Sequence, residues 1–122
     1  ENYKAIFEKY NLINIFLITP QTSDERIRFI DKISNGFIYM VSSASVTGTQ
    51  NSFSNIQNEY FERITKMNLK TPQIIGFGIS NSATYNQATK YAKGAIIGSA
   101  FVEHLSKNGV NLIDKFTHGI RS

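Results

Sequence analysis

Hydrophobic positions along this chain switch repeatedly between two periods. Over residues 2–10, Tyr3, Ile6, Phe7 and Tyr10 recur at helical spacing. Residues 14–18 form a short apolar run rich in β-branched side chains, ended by Thr19-Pro20, and read as a strand. Thr22 and Glu25 then have capping-box spacing. The helix they predict shows Ile27, Ile30 and Ile33 on one face and stops at Asn35-Gly36. The cycle repeats with a strand over 37–41, a Ser/Thr/Gly-rich loop over 42–54, and a helix striped by Ile56, Tyr60, Ile64 and Met67. Pro72 precedes a strand over 73–77, and Asn81-Ser82 offer caps for a helix reaching Tyr91. A last strand over 94–97 leads to a short helix over 99–106. A final helix carries Leu112, Ile113, Phe116 and Ile120.

The order is therefore a helix followed by four strand–helix units. Continuously apolar strands alternating with amphipathic helices predict a parallel sheet covered by helices. Four such units fit either an open doubly wound sheet or half of a closed barrel, since a complete barrel needs about 250 residues. Glycines bear on that choice. Three predicted strands end in Val46-Thr47-Gly48, Gly76-Phe77-Gly78-Ile79-Ser80 and Ile97-Gly98-Ser99-Ala100. Ligands of parallel α/β sheets bind at the carboxyl ends of the strands. In barrels a phosphate commonly sits after the last two strands, beside a short extra helix. Glycine lets backbone N–H groups approach an anion, and a helix N-terminus stabilises its charge. Gly78, Gly98 and Ser99 are the candidate donors.

Composition narrows the field further. Apolar residues make up 41% and charged residues 18%, a globular balance in 122 residues, enough for one domain. Without cysteine there is no disulfide framework, zinc finger or thiol nucleophile, which fits a reducing cytoplasmic setting. The net charge of +4 raises nucleic acid as a partner, but the basic residues are scattered singly among acids, against that role. The apolar stretch over 94–102 is too short to span a bilayer, and no secretion signal is expected.

Taken in order, the segments FLITP (16–20), SDER (23–26), FIYMVSSASVTG (37–48), GFGIS (76–80) and GAIIGSA (94–100) resemble tryptophan synthase alpha chains along essentially the whole sequence. The resemblance implies one domain over 1–122, truncated on its N-terminal side. Its fold would be α/β, the C-terminal half of a TIM (β/α)8 barrel, strands five to eight with their helices. That family cleaves indole-3-glycerol phosphate to indole and glyceraldehyde 3-phosphate by a retro-aldol step without a cofactor, beside a beta chain. By matching position, Gly78, Gly98 and Ser99 would hold the phosphate with Gly48 close by. Leu17, Tyr39 and Phe77 would line the substrate pocket. Thr47 would lie with Gly48 in a closing loop, where Ser45 departs from the glycine of many members.

Proton transfer at the indole and the glycerol hydroxyl requires an acid and a base. The family draws them from a glutamate and an aspartate near strand two, which have no counterpart here, so no catalytic residue is assigned in this chain. Asp24, Glu25, Glu59 and Glu62 fall on predicted helices. His104 and His118 stand alone there, without metal-ligand spacing. The isolated chain is expected to be inactive and to self-associate through its two apolar strand edges and an uncovered sheet face around Phe16, Tyr39, Ile75 and Ile97. A non-catalytic phosphate-binding or self-associating half-barrel module, or a fragment of a related phosphate-binding barrel enzyme, is the alternative.

Overall fold

The computed structural model describes residues 3–42 and 53–122. Helix α1 (Lys4–Lys9) leads into β1 (Phe16–Ile18) and α2 (Asp24–Ile33). Then come β2 (Ile38–Val41) and α3 (Asn55–Lys66), β3 (Gln73–Gly76) and α4 (Ser82–Thr89), and β4 (Gly94–Ile96) and α5 (Ser99–Asn108). A 3-10 turn (Val110–Leu112) joins α5 to α6 (Ile113–Arg121). The four strands form one parallel sheet in sequential order, β1-β2-β3-β4. Each successive strand is thus added to the same edge after a helical crossover.

Local chemistry explains where the helices begin. The side chain of Ser23 caps α2 by accepting from the Arg26 N–H at 3.2 Å, so Ser23 and not Thr22 is the cap. Thr22 instead closes the turn before it, its hydroxyl accepting from the Thr19 N–H at 2.9 Å. Ser54 caps α3, and Asn81 caps α4 in a reciprocal box with Thr84. Asp24 and Glu25 in the first turn of α2 and Arg63 and Lys66 in the last turn of α3 complement the helix dipoles.

The core lies between one face of the sheet and α2, α3 and α4. Ile18, Ile38, Met40 and Ile75 from the strands meet Ile27, Ile30, Tyr60, Phe61, Ile64 and Ala88 from the helices. The buried face of α3 is Gln57, Tyr60, Phe61 and Ile64, while Ile56, expected in its stripe, is 71% exposed. Ile33 likewise lies outside the core, at 39% exposure.

Register settles which strand residues face which way. Phe16 pairs with Ile38, Met40 with Ile75, and Ile75 with Ala95, and register partners in a parallel sheet share a face. Phe16 and Ile75 therefore lie on the helix-covered side, and Ile97 also packs against that core. Of the residues expected on the uncovered face, only Tyr39 is there. Leu17, Tyr39, Val41, Ile74 and Ile96 make up that face, and among the described residues no helix covers it. Leu17 is 57% exposed.

Candidate functional site

The uncovered face and the carboxyl ends of the strands meet at one rim, where most candidate residues gather. Leu17 and Tyr39 are register partners on β1 and β2. Tyr39 reaches across to β3, its ring centroid 5.9 Å from that of Phe77. In doing so it occupies the space over Gly76. A Cβ built there would lie 2.0 Å from the Tyr39 hydroxyl oxygen and 2.2 Å from Cζ, so only glycine fits beneath the ring. Partial burial raises the pKa of the Tyr39 hydroxyl above its ordinary value, so at neutral pH it is a phenol able to donate.

Beyond Gly76 the chain turns sharply. Phe77 and Gly78 both take left-handed backbone conformations, with φ of 67° and 76°. For glycine this is free, whereas for phenylalanine it carries strain, and it leaves the Phe77 ring 59% exposed at the rim. The far end of the turn is pinned. Ile79 is buried in the core, and the Thr84 hydroxyl accepts from the N–H groups of Ser80 and Asn81 at 3.0 and 3.2 Å.

On the neighbouring strand, Gly98 is the N-cap of α5 and Ser99 its first residue. The first helical bond runs from the Val102 N–H to the Gly98 carbonyl. The N–H groups ahead of it have no intrahelical acceptor, as at any helix start. Among the described residues none accepts from the N–H of Gly78, Gly98 or Ser99. A Cβ at Gly98 would meet nothing within 4 Å. The adjacent ends of β3 and β4 thus present backbone donors and a helix dipole together, an arrangement suited to an anion. Thr47 and Gly48 lie outside the described residues.

Several of the other titratable groups have structural partners. Asp24 pairs with Arg63 at 2.7 Å, and Glu62 lies 4.0 Å from Lys66 on α3. His104 Nε2 lies 3.0 Å from the Leu112 carbonyl, and His118 Nδ1 lies 2.8 Å from that of Asp114. Among the described residues no group of acids and histidines could hold a metal ion. No helix among them is long and apolar enough to cross a membrane. A concavity of about 440 Å3 between the start of α4, α5 and α6 is lined by Ser80, His104, Lys115 and Phe116. It includes none of Gly78, Gly98 and Ser99. The donor geometry, not the size of that hollow, marks the rim as the candidate site.

A sequential parallel sheet with helices on one face and its loops at one rim defines the class: half of a (β/α)8 barrel. A family model for the tryptophan synthase alpha chain matches residues 1–119, and the chain belongs to that family of lyases of tryptophan biosynthesis. It is 73% identical over 121 residues to the alpha chain of Flavobacterium johnsoniae, covering 99% of this chain and 48% of that one. With the alpha chain of Christiangramia forsetii it shares 58% identity over 122 residues, 100% of this chain and 48% of the relative. The structure of tryptophan synthase subunit alpha from Campylobacter jejuni superposes with a TM-score of 0.79 at 27% identity, covering 98% of this chain and 48% of that one. A Mycobacterium tuberculosis tryptophan synthase structure gives 0.77 at 30% identity, covering 99% and 45%. The chain spans about half the length of the relatives it matches.

Proposed function

We propose that this chain forms the phosphate-holding half of an active site that cleaves indole-3-glycerol phosphate to indole and glyceraldehyde 3-phosphate. The observation that carries the reading is the pair of adjacent turns, Phe77-Gly78 after β3 and Gly98-Ser99 opening α5. Their N–H groups, the Ser99 hydroxyl and the α5 dipole hold the phosphate, with Gly48 close by. Leu17, Tyr39 and Phe77 wall the indole and glycerol pocket, and Thr47 belongs to the loop that closes over it. A tryptophan synthase beta chain is the natural partner, and the setting is the cytoplasm.

The chain supplies binding without proton transfer. Asp24 and Glu62 face cations of α3, and the family's catalytic glutamate and aspartate have no counterpart in this chain. It therefore releases no indole by itself. A chimera joining the first half of the Flavobacterium johnsoniae alpha chain to this chain tests the reading directly. Indole release by the chimera, and none by the 122-residue chain alone, supports it. A folded chimera without turnover, or turnover by the chain alone that survives repurification, contradicts it. The uncovered sheet face favours one other reading, a non-catalytic phosphate-binding or self-associating module. An inactive chimera that still binds phosphate would select it.

A further inference from the structure

We infer that Ser42 is a positioning residue for the anion site, its hydroxyl holding the Phe77 carbonyl and thereby aiming the Gly78 N–H at the start of α5. The inference rests on the reading that Gly78 holds phosphate. Ser42 follows β2 directly and is 1% exposed, so it cannot reach a ligand itself. Its N–H continues the sheet ladder by one rung, donating to the Gly76 carbonyl at 3.0 Å. The hydroxyl oxygen lies 2.7 Å from that carbonyl and 2.5 Å from the Phe77 carbonyl. A serine hydroxyl has one proton. The Gly76 oxygen already accepts the Ser42 N–H, and the Phe77 oxygen is the closer, so the hydroxyl donates chiefly to Phe77.

That bond has a directional consequence. In a trans peptide the carbonyl and the following N–H point in opposite directions, and the described residues include no cis bond. Ser42 lies on the β2 side of β3, so with the Phe77 carbonyl drawn toward it, the Gly78 N–H points toward β4. Gly98 and Ser99 follow β4. The donors from the two turns thus converge because one buried hydroxyl holds one carbonyl. The left-handed pair at Phe77 and Gly78 is a strained arrangement that persists only when its surroundings hold it. Without the hydroxyl, the peptide between them loses its anchor and can rotate, since Gly78 tolerates many φ values.

Inorganic phosphate titrated into the 15N-labelled chain, with the amide signals of Gly78, Gly98 and Ser99 followed separately, tests this. In the wild type all three respond. In Ser42→Ala, phosphate binds at least about tenfold more weakly and the Gly78 response is lost, while those of Gly98 and Ser99 persist. Ser42→Cys keeps the volume and replaces a strong donor with a weak one, so it gives the same pattern even where the alanine variant folds poorly. Folded variants that bind with wild-type affinity and a responding Gly78 would overturn the role of Ser42. A wild-type chain whose three amides stay silent would instead remove the anion site, and this role with it.

Discussion

Two glycines at the rim do opposite jobs, and substitution separates them. Gly76 lacks a side chain because the Tyr39 ring occupies the space, 2.0 Å from where a Cβ would go. Gly76→Ala must displace that ring, at a cost of about 1–3 kcal/mol in stability, read from the urea midpoint. Gly98 faces open space, so Gly98→Ala should unfold within about 0.5 kcal/mol of wild type. On the proposed reading its methyl enters the space given to the anion, and phosphate affinity should fall by about tenfold or more. Equal losses of stability in both variants would remove the distinction. Asp31 provides a test by pH. Partial burial disfavours its charge, but the N–H of Thr71 at 2.8 Å, the Thr71 side chain, the N–H of Lys70 at 3.1 Å and the Lys70 charge together outweigh it. The pKa is held below its ordinary value. A depressed folded pKa gives stability that is present above the unfolded value, about 3.9, and lost as pH falls through the folded one. Asp31→Ala should cost about 1–2 kcal/mol at pH 7 and flatten the stability curve below about pH 4. A variant curve parallel to wild type down to pH 2 would contradict this.

Among the elements, α3 holds the β1–α2 connection. Tyr60 donates its hydroxyl to the Ile18 carbonyl at 3.1 Å. Arg63 donates to the carbonyls of Pro20 at 3.1 Å and Thr22 at 3.2 Å, and to Asp24 at 2.7 Å. Exposed ion pairs contribute little, and Asp24 is 62% exposed, so the carbonyl fork matters more than the charge pair. Asp24→Asn should be nearly silent, while Arg63→Lys, which keeps the charge and loses the fork, should cost about 1–2 kcal/mol. The reverse order in denaturant unfolding would make the ion pair dominant. This clasp was not legible in the sequence, because it joins residues about 40 positions apart and carries no local period. Element order and type were legible, since the strands are largely apolar runs, α2, α3 and α6 carry apolar stripes, and α4 is announced by its Asn81 cap. The finer readings failed for geometric reasons. In the stripe Ile56, Tyr60, Ile64 and Met67 the last three are buried and only Ile56 is not, because two steps of four residues drift by about 40° each on a helix of 3.6 residues per turn. The buried set Gln57, Tyr60, Phe61, Ile64 follows the true period. At α2, the turn closed by Thr19 and Thr22 engages the Thr22 hydroxyl and leaves Ser23 positioned to cap.

For the whole molecule, the glycine turns and the half-barrel could be read from the strand ends, but the direction of the strand side chains could not. Side chains alternate along a strand, so in a run that is apolar at both parities little local says which parity faces the helices. That is why Phe16 and Ile75 read as uncovered and prove to be core. The open face formed by Leu17, Tyr39, Val41, Ile74 and Ile96 remains apolar, and covering it at about 25 cal/mol per Å2 favours association. The 122-residue chain should therefore sediment as a dimer or larger at micromolar concentration. Leu17→Lys should weaken that association while leaving the helix-side core intact. A folded wild-type monomer near 13.8 kDa would contradict it. A crystal structure of the chain grown or soaked in phosphate would show whether the turns after β3 and β4 share an anion site. A phosphate should lie within hydrogen-bond distance of the N–H groups of Gly78, Gly98 and Ser99, at the N-terminus of α5. A phosphate-saturated crystal with that rim open to solvent and no anion on these three residues would contradict it.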